Sequence, residues 1–273
     1  MKHLHIIIVI YNIRLIESKS YETCLRILKK NNNITIWLMD NSDIPIGDPC
    51  IQNIRYIPMN GNQGLSKAYN KAISLIPHNS NNIAIFLDQD TSINEEYFEK
   101  VLEVCDEYND VFLIAPYIYD KKGLLSPCKV FLNKAWRIKS KPSQSFKGIS
   151  LINSGLCICA DVFKKISFNE NLFLDYIDHD FVKRYKKIYG YKSISFVNVK
   201  FYQQFSGSIK EPLRKKLRRY NIYINDYIEF SKIHKVYLLI AYFIIILRAF
   251  KLGIQYKTSK FIFAIIGKQN AKS

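Results

Sequence analysis

Two carboxylates one residue apart, Asp88 and Asp90, close an uninterrupted apolar run, Ile83-Ala84-Ile85-Phe86-Leu87. Apolar residues without alternation mark a strand covered on both faces, and in open α/β sheets ligands bind beyond the carboxyl ends of such strands. Hard carboxylate oxygens there suit Mg2+ or Mn2+, which take one or two protein carboxylates and complete their shell with water and substrate phosphates. The chemistry indicated is binding of a nucleoside diphosphate. Asp-x-Asp also arises by composition in a chain of this length, and a strand-end Asp also forms turns, so the pair gains meaning from the elements around it.

Those elements alternate. Residues 4–10 form an apolar, β-branched strand ending at Tyr11-Asn12, and the spacing over 15–30 suits an amphipathic helix stopped by Asn31 to Asn33. A second strand, 34–39, closes on Asp40-Asn41-Ser42-Asp43. A third, 54–58, leads into Asn60-Gly61-Asn62-Gln63-Gly64 and a helix over 65–76. Strands alternating with helices imply parallel βαβ units and place Asn12, Asp40 and Asp88 along one sheet edge. A helix over 95–108 and a strand over 112–118 continue the pattern. Residues 120–150 are basic and aperiodic and read as a loop excursion over the site. Sheet returns over 149–160, followed by a short helix at 161–165, the acidic Asp175-Tyr176-Ile177-Asp178-His179-Asp180, a helix over 181–189 stopped by Gly190, and a last strand over 193–202.

With 273 residues, 48% of them hydrophobic, the chain buries a large core, which excludes disordered and fibrous classes. Its six cysteines form no CxxC pair and no signal peptide is expected before them, so they read as reduced thiols of a cytoplasmic protein. Cys157 and Cys159 read as a same-face strand pair rather than half of a metal site. The net charge of +17 is large enough to ask which polyanion the protein meets, nucleic acid, anionic lipid and nucleotide sugars all qualifying. No nucleic-acid module is present, and the positive charge gathers after residue 120, in runs at 183–187 and 214–219, which favours a membrane surface over a nucleic acid. Beyond residue 211 a basic helix over 213–232 precedes two apolar runs, 236–247 and 261–266. The first is short of the roughly 20 residues that span hydrocarbon, and lysines flank both. A helical pair lying in the interface of an anionic leaflet is expected, the alternative being a buried core helix. The division expected is 1–210 for the α/β domain and 211–273 for a membrane-associating helical segment.

Taken in order, Ile6 to Asn12, Asp40-Asn41-Ser42, Asn60 to Gly64 with Ala68 and Asn70, Asp88-Gln89-Asp90, Asn153-Ser154-Gly155, and Asp178-His179-Asp180 with Arg184 and Gly190-Tyr191 resemble glycosyltransferase family 2. Within it, Leu87-Asp88-Gln89-Asp90 and Phe173 to Asp178 look most like rhamnosyltransferases of bacterial surface-polysaccharide (O-antigen) synthesis. The resemblance implies a GT-A fold and an inverting, single-displacement transfer from a nucleotide sugar. It implies that Tyr11, Asn12, Asp40 and Asn41 hold base and ribose, that Gly61 and Gly64 let backbone approach the nucleotide, that Asp88 contacts the nucleotide, and that Asp90, with Asp88, ligates Mg2+ or Mn2+. Inversion needs a base opposite the leaving group. The family's acidic motif assigns it to Asp178, with Asp175 and Asp180 as rivals and helix capping as the structural alternative.

The chain departs from many relatives after its last strand, where Tyr202-Gln203-Gln204-Phe205-Ser206-Gly207 stands in place of a histidine, although Ser206-Gly207-Ser208 retains backbone for a phosphate. His179 reads as a solvated spacer, and His3, His5, His78 and His234 show no ligand spacing. The implied donor is dTDP-rhamnose and the acceptor a saccharide on a polyprenyl diphosphate, at the inner face of the cell membrane. A UDP-sugar donor (galactose, galactofuranose or N-acetylglucosamine) and a non-catalytic membrane-surface protein are the alternatives.

Overall fold

The computed structural model describes residues 2–107, 112–131, 134–202, 211–235 and 237–269. Among them, eight strands form one sheet in the order β11-β5-β10-β4-β1-β2-β3, with β6 beyond β5. The strands are β1 (His3–Ile10), β2 (Ile34–Asp40), β3 (Ile54–Pro58), β4 (Asn82–Asp88), β5 (Leu113–Asp120), β6 (Gly123–Ser126), β10 (Leu156–Cys159) and β11 (Ile194–Tyr202). β1 pairs in parallel with β2 and β4, β2 with β3, and β5 with β11, whereas β10 runs antiparallel between β4 and β5. The sheet is therefore mixed and mainly parallel.

Register delivers the acids. Ile10 lies opposite Asp40 and Val9 opposite Asp88, so the central strand, buried along nearly its whole length, sets both carboxylates beside Tyr11 and Asn12 at one edge. Helices α1 (Lys19–Leu28) and α2 (Leu65–Ile73) pack on β1 and β2, and α3 (Glu95–Glu107) packs on β11. At the opposite end of β1, His5 is a core residue. It bonds Asn82 Oδ1 at 2.9 Å and accepts from Trp37 Nε1 at 3.2 Å, and burial lowers its pKa to about 4.

Residues 120–150 are the expected loop only in part: 138–148 carry no regular secondary structure, and the other described residues hold short strands. These are β6, β7 (Cys128–Phe131), β8 (Lys134–Arg137) and β9 (Ile149–Ser150), the last three making a second sheet in the order β8-β7-β9. Strands of two to four residues, one of them wholly exposed, are too short to show alternation. Arg137 fastens this sheet to the first by pairing with Asp120 and donating to the Gly123 and Leu124 carbonyls. The stretch read as sheet over 149–160 is divided: β9 joins the second sheet and β10 the first.

The helix after the acidic motif, α4 (Ile177–Tyr189), begins four residues earlier than expected. An aromatic chain seats it. Phe86 of β4 meets Tyr69 of α2 edge-on at 4.8 Å and Phe168 at 5.2 Å, and Phe168 stacks on Phe181 of α4 at 4.6 Å. Beyond it lie α5 (Leu213–Ile233), α6 (Leu238–Tyr256) and α7 (Lys260–Gln269).

These last helices have their own apolar cluster of Tyr220, Tyr223, Ile224, Tyr227, Ala241, Ile245, Ala249 and Phe261, while Phe230 belongs to the main core and Tyr176 packs on both. The helix does not stop where the apolar run ends at Leu247: the Arg248 guanidinium sits 3.7 Å over the Tyr223 ring, and α6 continues to Tyr256. α6 is thus long and apolar enough to cross a membrane by length and composition, and only 22% of its apolar window is buried.

Truncating the centre of the aromatic chain leaves a cavity between β4, α2 and α4. Phe86→Ala is expected to cost about 3–5 kcal/mol of unfolding free energy in urea titrations, and a loss under 1 kcal/mol would contradict the packing described.

Candidate functional site

The strand ends are tied to one another before any ligand is considered. Tyr11 N donates to Gln89 Oε1 at 2.8 Å, and Ser18 Oγ, at the start of α1, donates to Gln89 O at 2.9 Å. Asn12, in the left-handed region at φ 50°, exchanges side-chain bonds with Asp43: Nδ2 to Oδ2 at 3.0 Å, and Asp43 N to Oδ1 at 3.0 Å. Asn41 donates to Gly64 O at 3.1 Å and accepts from Gln63 N at 3.2 Å.

Asp40 is 1% exposed, and both its oxygens serve the loop that follows: Oδ1 accepts from Ser42 N at 2.9 Å, and Oδ2 accepts from Ile46 N at 2.8 Å and Tyr56 OH at 2.6 Å. In this arrangement it organises the loop that follows β2. Burial would raise its pKa, but the bonds from Ser42, Tyr56 and Ile46 outweigh burial and hold the carboxyl below its ordinary value. The Tyr56 hydroxyl is pushed up to about 12 by burial and then by its bond to Asp40.

The two glycines of the 61–64 loop differ. Gly61 has φ +99° and open space where a Cβ would stand, as expected for backbone approached by a ligand. Gly64, at φ +85°, has no such space, because a Cβ would lie 2.8 Å from the Phe173 ring and from Phe173 O. Its smallness makes room for a chain segment, and Leu65 N donates to that same Phe173 O at 2.8 Å. Asn70 grips the segment further back, donating to Phe168 O and accepting from Phe168 N, each at 2.9 Å.

Residues 168–176 lead into α4. Asp178 occupies the first turn, its side chain 18% exposed, with Oδ1 accepting from His179 N at 2.7 Å. The helix cap is Tyr176, at φ 65° and without a side-chain capping bond, so Asp178 is not the cap. The rivals are engaged elsewhere. Asp175 forms a two-point pair with Arg219 of α5, and Asp180, fully buried, is bonded to Arg184 and to His234 Nε2 at 3.0 Å, so that despite burial its pKa is lowered. His179 is no solvated spacer: Nδ1 lies 2.7 Å from Ser150 Oγ and ties α4 to β9. Lys186 of the basic run donates inward to the Ile149 carbonyl.

Asp88 is half-buried at the end of β4. Asp90 is exposed and faces a cavity of about 330 Å³ lined also by Lys19, Tyr119, Asp120, Lys121 and Tyr202. The fully buried hydroxyl of Tyr69 has no hydrogen-bond partner among the described residues, and its pKa is raised by burial first and then by the charges of Asp88 and Asp178. No cluster of three or more metal-ligating side chains is present among the described residues. The donor set of one or two carboxylates fits an ion that takes most of its shell from phosphate and water. Residues 203–208, expected near phosphate, lie outside the described residues.

The sequence profile of Glycosyl transferase family 2 matches residues 5–166, more than half of the chain. The chain belongs to glycosyltransferase family 2. Its curated relative dTDP-rhamnosyl transferase RfbF of Shigella flexneri is 25% identical over 188 residues, covering 67% of this chain and 62% of that protein. The chain thus spans less than two thirds of that relative. Mannosyl-3-phosphoglycerate synthase from Rubrobacter xylanophilus superposes with a TM-score of 0.59 at 12% identity, over 86% of this chain and 75% of its own. The mannosyltransferase PcManGT from Pyrobaculum calidifontis, solved with GDP-Man and Mn2+, superposes with a TM-score of 0.51 at 10% identity, over 84% and 64%. The fold is GT-A, the mixed, mainly parallel sheet flanked by helices expected of the family.

Family motifs named Asp40, Asn41, Gly64 and Asn70, but not what they hold. Sequence reasoning missed Tyr56, Tyr69, Arg219 and Asp226. The last had a signal, being an acid that lies among Tyr223, Tyr227 and Phe230 at helical spacing.

A carboxyl with a depressed folded pKa contributes stability that is complete above its unfolded value and is lost as pH falls through the folded one. Tyr56→Phe is therefore expected to cost about 1–2 kcal/mol at pH 7, with the deficit shrinking below about pH 4 as Asp40 protonates. A deficit in urea unfolding that stays constant from neutral to acid pH would contradict the Asp40–Tyr56 assignment.

Proposed function

We propose that this glycosyltransferase moves a sugar, rhamnose from dTDP-rhamnose, onto a saccharide carried by a polyprenyl diphosphate, with inversion. The observation that carries the site is that the register of β1 sets Asp40 and Asp88 at one sheet edge, while Asp175 and Asp180, the acids flanking Asp178, are held in pairs with Arg219 and with Arg184 and His234. The donor rests on the similarity to RfbF. Gln89, which gives the motif its rhamnosyltransferase look, turns its side chain to the Tyr11 amide and makes the strand ends rigid.

Asp178 takes the proton of the acceptor hydroxyl as that oxygen bonds to the anomeric carbon, and the bond from that carbon to the diphosphate breaks with its electron pair leaving on the nucleotide. Asp90, with Asp88 beside it, would hold Mg2+ or Mn2+, which when bound supplies Lewis-acid stabilisation of the diphosphate charge. Gly61 and the Asn12–Asp43 and Asp40 loops form the nucleotide side of the cleft.

The membrane part of the reading rests on α6. Leu239, Phe243, Leu247, Phe250 and Ile254 lie along one exposed face, Leu239 at 84% and Ile254 at 79%. From residue 231 onward the chain carries eight Lys or Arg and no Asp or Glu. An apolar face bordered only by cations suits an anionic lipid surface. That surface is the inner face of the cell membrane, where nucleotide sugar and lipid-linked acceptor meet, and the six free thiols accord with a reducing compartment.

With labelled dTDP-rhamnose and a lipid extract of the host as acceptor, Asp178→Asn is expected to lose on the order of 10²–10⁴-fold in turnover while keeping its donor affinity by calorimetry. Asp90→Ala is expected to lose stimulation by Mg2+ or Mn2+. Full activity in either variant would overturn that residue's role. In sedimentation with phosphatidylglycerol vesicles, the wild type is expected to pellet and Phe243→Glu with Phe250→Glu to stay in solution. Equal pelleting would contradict the docking face.

A further inference from the structure

The residues before Asp178 have no regular secondary structure, yet three consecutive backbone N–H groups there share one buried acceptor. Asp226 of α5, 1% exposed, accepts from Phe173 N through Oδ1 at 2.9 Å, and from Leu174 N and Asp175 N through Oδ2 at 2.9 and 2.7 Å. Arg219, two turns earlier on α5, pairs at two points with the Asp175 side chain. His234, at the end of the same helix, bonds Asp180 on the far side of Asp178. Spacings of seven and eight residues place Arg219, Asp226 and His234 on one face of α5. Between the bonded points Tyr176, left-handed, stacks on Tyr227 at 5.1 Å and Phe230 at 4.9 Å.

A buried carboxylate is a costly way to hold a loop. Burial, with the neighbouring Asp175 charge, leaves the Asp226 pKa raised even against its three N–H bonds. An apolar contact would attach the segment at lower cost, but it would not fix the direction of three successive peptide planes. Charged hydrogen bonds do, and the direction of those planes sets where the first turn of α4 begins.

We propose that Asp226 and Arg219 are positioning residues of the transfer step, holding residues 173–176 so that Asp178 meets the acceptor hydroxyl. This makes α5 part of the active site, not only a link to the apolar helices. The inference rests on the reading of Asp178 as the base.

The full chain is assayed with dTDP-rhamnose and host lipid extract below the melting temperature of every variant. Asp226→Asn turns an amide donor towards the N–H groups and is expected to lower kcat on the order of 10²-fold, as a displacement of about 1 Å can, with the KM for donor unchanged. Arg219→Lys, which keeps the charge, is expected to lose less kcat than Arg219→Met, again without a change in donor KM. Hydrogen–deuterium exchange is expected to quicken at residues 173–175 in Asp226→Asn and to stay as in wild type in β1 and β4. If both Asp226→Asn and Arg219→Met keep wild-type kcat and only melt earlier, the positioning role is overturned. Asp178→Asn run in parallel separates the two claims: full turnover in that variant overturns the base reading, and exchange at 173–175 then decides alone whether Asp226 holds the segment.

Discussion

An irregular stretch of chain inside a protein must find partners for its backbone, since a buried N–H or C=O left alone forfeits the bonds it had in water. Residues 168–176 are such a stretch. On one side α2 supplies Asn70 to both polar groups of Phe168 and the Leu65 amide to Phe173 O, and Gly64 leaves the room this approach needs. On the other side α5 supplies Asp226 and Arg219. The start of α4 is set by this double grip, because the helix that carries Asp178 begins where the gripped segment ends.

The two halves of the site are therefore built differently. The half that carries Asp40 and Asp88 follows from sheet register: β1 lies between β2 and β4, so both carboxylates reach one edge without any side chain having to place them. The half that carries Asp178 has no strand to deliver it and is assembled from side-chain-to-backbone bonds and a chain of ring contacts running from Tyr69 through Phe86 and Phe168 to Phe181. Because α5 also carries α6, through Tyr220 OH to Ile245 O and through Tyr223 beneath Arg248, the exposed apolar face and the catalytic segment share one support.

Legibility in the sequence divides along the same line. β1, β2 and β4 were readable to within one residue, because continuous apolar runs in buried parallel strands have few alternatives, and β3, an edge strand with one buried residue, was readable to the residue from the Gly-containing loop that follows it. The positions of Asp88, Asp90 and Asp178 were readable from motif order. The roles of Asp40, Asn41 and Gly64 were not, since a motif shows which residues recur together without showing whether they face a ligand or one another. Asp226 lies 51 to 53 residues from the amides it holds, and nothing local announces a contact at that range. The small second sheet was hidden for the opposite reason, its strands being too short and too basic to show a period. The start of α4 at Ile177 was hidden because its cap is a left-handed Tyr176 in place of a conventional capping side chain.

The proposed nucleotide position is across the ends of β1, β2 and β4, with the diphosphate at Asp90. A crystal structure of the chain with dTDP and Mn2+ tests it most directly. The account predicts the ion on Asp90, the base against the Asn12–Asp43 and Asp40 loops, and the distal phosphate opening towards Asp178. A nucleotide bound on the basic helices beyond residue 211, or an ion bound away from Asp90, would contradict it.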